Sequence, residues 1–308
     1  MTVNGWLTPD QMGNTLPHEH VMVDFIGAAN ITPDRYNRDS VYITALPYLL
    51  RLKQLGCNTF IDCTPDYIGR DVQVLKRLSD ATGLNIITNT GYYGASGEKY
   101  YPDQMNTETA EELSARWVNE FQNGIDSTGV RPGFMKLGSD RGPLTEKQQK
   151  SVHAAAITHL KTGMTIAIHT GDGVAAQEEL DIITSHGVLP EAFIWVHAQN
   201  EKDSTIHLAM ASNGVWVELD GLGPGSSDRY RRLLMYLKDN KLLSKVLLSH
   251  DAGWYHVGEA GGGTFNDFNF LFEEFVPGLR QAGFSEEEID TVLRVNPMNA
   301  FAIRVRKQ

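Results

Sequence analysis

The amino-acid sequence predicts an α/β fold: one (β/α)8 TIM barrel spanning residues 1–308, with additional C-terminal helices. Three observations carry that expectation. Short apolar runs rich in β-branched residues alternate eight times with amphipathic stretches, the pattern of parallel βαβ units. The length of 308 residues suits a closed barrel, which typically takes ~250. No Pro/Ser-rich linker or shift in composition divides the chain, so one domain is expected. An open doubly wound sheet is the structural alternative, but no G-x-G-x-x-G follows the first strand.

The strands are expected, in order, in HVMVDF (20–25), NTFIDCT (58–64), NIITNTG (85–91), GFMKLG (133–138), TIAIHTG (165–171), FIWVHAQ (193–199), GVWVELDG (214–221) and KVLLSHD (245–251). Each is a short apolar run that ends on polar residues. Between them lie the helical segments, from SVYITALPYLLRLKQLG, which Pro47 interrupts, to SDRYRRLLMYLKDNKLL. Several close on glycine, as helix C-termini often do. The tail, NDFNFLFEEFVPGLRQAG and SEEEIDTVLRVNPMNAF, reads as closing helices packed on the barrel.

Bulk properties exclude whole classes of function. Apolar residues make up 41% and charged residues 21%, ordinary for a globular protein with a sizeable core. A formal charge of -11 argues against a nucleic-acid partner. No apolar stretch approaches the ~18 residues of a membrane span. The opening MTVNGWLTPD has neither a basic n-region nor an apolar h-region. The expected location is cytoplasmic, or periplasmic had an export signal preceded residue 1. Cys57 and Cys63, up to ~20 Å apart on an extended chain, are expected as buried free thiols. A small-molecule substrate is the expected partner, and a homodimer is compatible with the composition.

In a parallel barrel, catalytic side chains gather at the C-terminal ends of the strands. Lys136, His169, His197 and Asp251 each follow an apolar run, so the barrel would bring all four to one rim. His18 and His20 flank Glu19 in TLPHEHVMVDF. On a strand these two imidazoles face together and Glu19 faces the opposite way. Paired imidazoles suit a divalent cation; taken alone, the pair is equally compatible with two surface histidines.

Taken together, TLPHEH, GFMK-LG, IHTGDG, VHAQN and SHD, in that order, resemble the phosphotriesterase family of the amidohydrolase superfamily. The likeness extends through IGRDVQVLKRLSDATGLNIITNTGYY (68–93) and NGIDSTGVRPGF (123–134). It implies two divalent metal ions bridged by a carbamylated lysine and a hydroxide. Carried across, His18, His20 and Asp251 hold the more buried ion, His169 and His197 the other, and Lys136 bridges them after adding CO2. The choice of lysine then has a chemical reason: an ammonium beside two dications is repelled, whereas the neutral amine can become an anionic oxygen ligand. Zinc (Zn2+) is the expected ion, with Mn2+, Co2+ or Fe2+ as alternatives.

On this reading two metals acidify a water and polarise a carbonyl or phosphoryl oxygen. Asp251 accepts the proton, and Lys136 and Asp251 are the catalytic pair. No serine or cysteine nucleophile is required, so Ser139 and Ser249 are read as supporting groups. Tyr93 stands where lactonase-type relatives place a tyrosine against the lactone ring; Tyr92 is its neighbour. Asp220, followed by Gly221 where relatives often carry Arg or His, and Trp254 complete the expected substrate contacts. Asn200 replaces an aspartate used in one version of a proton relay, so that relay is not expected. The loop AGWYHVGEAGGGTF (252–265) lacks Arg and Lys, so no phosphate clamp is evident. Lactones or carboxylic esters are the expected substrates, with phosphotriester turnover as a side activity. The alternatives are an amide or N-acyl hydrolase with the same centre, and a non-catalytic binding barrel.

Overall fold

Each run expected to be a strand overlaps at least one. The computed structural model describes residues 1–308 and places strands at β1 (Thr15–Val23), β2 (Thr59–Asp62), β3 (Asn85–Ile87), β4 (Asn89–Thr90), β5 (Phe134–Gly138), β6 (Thr165–His169), β7 (Phe193–Val196), β8 (Trp216–Leu219), β9 (Val246–Leu248) and β10 (Gly253–His256). All pairings between them are parallel. Two arcs result, β10-β1-β2-β3 and β4-β5-β6-β7-β8-β9. They meet where Thr88 interrupts the run NIITNTG. At the other junction the chain after β9 bonds to β1: the Asp251 N–H donates to the His18 carbonyl at 3.1 Å, and the Ser249 hydroxyl accepts from the His18 N–H at 3.0 Å.

Helices α1 (Arg38–Gln54), α2 (Val72–Thr82), α3 (Gln104–Thr107), α4 (Ala110–Asn123), α5 (Glu146–Thr162), α6 (Gly173–Ser185), α7 (Ser204–Ser212) and α8 (Ser227–Asp239) wrap the strands. Helix α1 continues through Pro47. The tail forms a π-helical turn at Leu271–Phe275, then α9 (Val276–Gln281), α10 (Glu286–Asp290) and α11 (Asn296–Phe301), as the closing helices were expected to.

Strand alternation sorts the core into two layers. Ile61, Ile87, Phe134, Ala167, Ile194, Trp216 and Leu247 fill the barrel interior, and Phe301 of α11 closes its lower end against Phe134. The intervening residues, such as Phe60, Met135, Ile166, Trp195 and Val217, pack outward against the helices. The inward series therefore runs on from Phe134 to Lys136 and from Ala167 to His169. Apolar side chains below give way to ionisable ones at the rim. Cys57 and Cys63 are buried and unpaired. No helix is long and apolar enough to cross a membrane.

Two elements differ from the sequence expectation. Strand β1 begins at Thr15, five residues before the expected His20, and absorbs Pro17 where its register against β2 shifts between Leu16 and Glu19. Strand β10 lies in the stretch expected to be loop. Its entry depends on Gly253, at φ 97°, because a Cβ there would sit 1.8 Å from the His20 carbonyl oxygen.

Candidate metal centre

With β1 extended to Thr15, His18, Glu19 and His20 all lie inside a strand, and their side chains alternate as the pleat requires. The two imidazoles face the barrel mouth with ring centres 5.3 Å apart. Glu19 turns the other way and is fully buried. Its Oε1 accepts from the Ser249 hydroxyl at 2.7 Å, the His250 N–H at 3.0 Å and His250 Nδ1 at 2.7 Å. Its Oε2 accepts from the Ala252 N–H at 2.9 Å. Glu19 thus fastens to β1 the turn that carries Asp251, itself held at φ 54°.

Hydrogen bonds fix which nitrogen three of the histidines present. The Thr64 hydroxyl donates to the Met22 carbonyl at 3.0 Å, so it accepts from His20 Nδ1–H at 2.8 Å. His20 Nε2 is left facing Asp251 Oδ1 at 3.0 Å. Asp220 accepts from His197 Nδ1 at 2.7 Å and lies 3.0 Å from His18 Nδ1, with Glu218 at 3.2 Å from the same nitrogen. His18 and His197 therefore both turn Nε2 to the cavity, and His18 Nε2 lies 3.6 Å from Asp251 Oδ1. This is how carboxylates orient metal-binding imidazoles. His197 sits at φ 60° directly after β7, its N–H bonded to Asp220 Oδ2 at 3.0 Å. Its ring centre is 4.4 Å from that of His169 and 5.0 Å from that of His18.

All six expected ligands line one cavity: His18, His20, Lys136, His169, His197 and Asp251. The chemistry of this donor set fits divalent metal. Ligand atoms of His18, His197 and Asp251 lie within 4.8 Å of one another. Lys136 is only 2% exposed and has no carboxylate or hydrogen-bond partner; its Nζ lies 5.6 Å from the centre of the Tyr93 ring.

The electrostatics point the same way. Burial disfavours a charged His18, but Asp220, Glu218 and Asp251 outweigh it and push its pKa up to about 10. Burial also opposes ionisation of Asp251, yet the His20 hydrogen bond and the neighbouring imidazoles hold it well below the usual carboxylate range. Burial together with His197 and Lys136 keeps His169 neutral, with a lone pair to give. These carboxylates favour positive charge at the base of the cavity.

Of the expected substrate contacts, Tyr93 and Trp254 line the cavity. The Tyr93 hydroxyl is 3.0 Å from His169 Nδ1, and Trp254 meets His20 and Phe25 edge-on, each at 5.6 Å between ring centres. Asp220 does not line it. It is wholly buried behind the histidines, with both oxygens engaged by His18, His197 and Gln199, so the expectation of a substrate contact there is corrected: its carboxylate holds the two imidazoles from behind. Tyr92 packs away from the cavity against Tyr67 and Trp117. The Ser139 hydroxyl bonds to Glu179 and that of Ser249 to Glu19, supporting roles as expected. Phe25, Thr64, Ile68 and Glu218 escaped the sequence reading. Glu218 had a legible signal, since it stands two residues before Asp220 and so shares its strand face.

Residues 1–301 match the model of the phosphotriesterase family. The chain is 31% identical over 296 residues to a phosphotriesterase homology protein of Escherichia coli K12, covering 95% of this chain and 99% of that one. It is 26% identical over 307 residues to an aryldialkylphosphatase of Saccharolobus solfataricus, covering 94% and 95%. It is 24% identical over 341 residues to an N-acetyltaurine hydrolase of Danio rerio, covering 96% and 95%. A solved variant of a PTE-like lactonase from Deinococcus radiodurans superimposes with a TM-score of 0.88 at 28% identity, covering 98% of this chain and 99% of that one.

Proposed function

The chain belongs to the phosphotriesterase family and is a metal-dependent hydrolase, and from that premise we propose a binuclear enzyme acting on lactones or carboxylic esters. His18, His20 and Asp251 would hold one divalent ion, His169 and His197 the other, and Lys136, as its carbamate, both. When bound, such a pair supplies a water acidic enough to act as nucleophile near neutral pH and polarises the scissile C=O. The observation that carries the reading is the convergence of His18 Nε2 and His20 Nε2 on Asp251 Oδ1 beside a buried Lys136 that lacks any ion partner.

The residues of the chain do the rest. Asp251 takes the proton of the attacking water, since its carboxylate reaches the cavity and is held ionised by the imidazoles around it. Tyr93, Phe25 and Trp254 enclose the organic part of the substrate and exclude water from the opposite side. In a lactone, the C–O bond of the ring breaks and the released alkoxide is protonated, giving a single hydroxy acid.

Charge decides between substrate classes. Apart from Lys136, no Lys or Arg lines the cavity, so an anionic group on the substrate would find no partner. This supports neutral esters and lactones over a charged N-acyl substrate such as N-acetyltaurine. Similarity to the aryldialkylphosphatase supports phosphotriester turnover as a side activity. A panel of lactones, aryl esters, N-acyl amino acids and neutral phosphotriesters, with added zinc, manganese or cobalt, tests the reading. The highest kcat/KM is expected on a neutral lactone or ester; a preference for an anionic N-acyl compound would overturn it.

A further inference from the structure

Inward positions below the rim are apolar on the neighbouring strands, with Ala167, Ile194 and Leu247 among them. Glu218 breaks that rule. It lies on β8 between inward-facing Trp216 and Asp220, is 1% exposed, and pairs in register with Leu247 of β9. Its Oε2 is 3.2 Å from His18 Nδ1. Its Oε1 is buried with no hydrogen-bond partner, and no Lys or Arg forms an ion pair with it. The one polar contact of this carboxylate is therefore the rear nitrogen of a proposed metal ligand.

Asp220 Oδ2 also lies 3.0 Å from that nitrogen, so two carboxylates crowd one imidazole edge, and Glu218 Oε2 is the one in hydrogen-bonding geometry with it. Glu218 therefore orients the His18 ring and adds a second acidic group directly beneath the site. A half-satisfied carboxylate in an apolar interior is destabilising unless a positive charge compensates it. Such a charge is what the proposed centre would place on the far side of His18. A carboxylate behind a ligand imidazole also makes that imidazole a stronger donor.

We propose that Glu218 is a positioning and charge-balancing residue that retains the metal held by His18, acting through the imidazole without touching substrate. This rests on the binuclear reading above. The expectation is specific: Glu218 contributes to how tightly metal is kept.

The test loads the purified full-length chain with zinc and follows metal release to a chromogenic chelator at graded concentrations. It compares the parent with Glu218→Gln, which keeps shape and loses charge, and with Glu218→Leu, which removes the polar group altogether. Both variants are expected to hold one zinc equivalent about 10- to 100-fold more weakly. If either folded variant releases both equivalents at the parent's chelator concentrations, Glu218 is only a core residue and the proposal is overturned. A parent that binds fewer than two equivalents overturns the binuclear reading instead, so the two failures are distinguishable. Should Glu218→Gln not fold, Glu218→Leu carries the comparison, since replacing a buried charge with an apolar side chain is often neutral or stabilising.

Discussion

Glu19 offers the sharpest test of how the fold builds the site, because it joins two segments more than 200 residues apart. In Glu19→Gln the amide oxygen can replace Oε1, which accepts from Ser249, the His250 N–H and His250 Nδ1. The amide nitrogen then replaces Oε2 and faces the Ala252 N–H, which the carboxylate now accepts at 2.9 Å. Two donors confront each other, and one buried N–H loses its partner at roughly 1–3 kcal/mol. The three surviving bonds lose their charge assistance, at up to about 1 kcal/mol each. With partial relaxation, the expected loss is roughly 3–5 kcal/mol. At about 1.5 °C per kcal/mol for a chain of 308 residues, Tm should fall by roughly 5–8 °C. Because the loosened turn carries Asp251, retained metal should fall with it. Scanning calorimetry and metal analysis of the same preparation read both quantities. A Tm within about 2 °C of the parent, with full metal content, would refute the argument that Glu19 holds the Asp251 turn.

Three further outcomes follow from particular contacts. Tyr93→Phe removes the hydroxyl beside His169 Nδ1; one hydrogen bond of ~0.5–1.5 kcal/mol implies a two- to tenfold lower kcat/KM on lactones. A smaller change is expected on phosphotriesters, and an equal fall on both would remove Tyr93 as a lactone contact. Asp251→Asn should chiefly lower kcat, measured at saturating lactone with metal in excess; a change confined to KM would exclude Asp251 as proton acceptor. Glu179, buried between the Ser139 and Thr170 hydroxyls, has its carboxyl pushed up to about 8 by burial. The folded state therefore keeps a proton that the unfolded chain loses near the ordinary glutamate value of 4.5. Stability from this group is full below that value and declines as pH rises toward about 8, by an amount on the order of a few kcal/mol. Urea unfolding at several pH values should show a flatter decline in Glu179→Gln, and parallel profiles would exclude a protonated Glu179.

Much of the barrel and rim was legible because both rest on period-two alternation. Lys136 and His169 each extend an inward apolar series by one step, so a strand ending in a polar residue identified its own rim position. His18 and His20 were legible for the same reason. The rest depended on facts that alternation does not carry. Pro17 hid the first five residues of β1, because a proline inside a strand is tolerated only at an edge or bulge, and the register shift there is a tertiary feature. The glycine-rich stretch after Asp251 read as loop, although β1 offers Gly253–His256 a partner that only glycine can approach. Asp220 was visible as a rim carboxylate, yet whether it faces substrate or imidazole is decided by His18 and His197 arriving from other strands. Glu218 shared the strand face of Asp220 in plain alternation, but what it meets there is decided by His18 arriving from β1.

That Lys136 joins two metal ions is tested by elemental analysis of metal-replete parent protein beside Lys136→Ala. The parent should hold close to two equivalents and the variant no more than one. Turnover in the variant should be nearly abolished, and partly restored by short carboxylic acids that supply the missing oxygen bridge. Two equivalents and undiminished turnover in Lys136→Ala would contradict it.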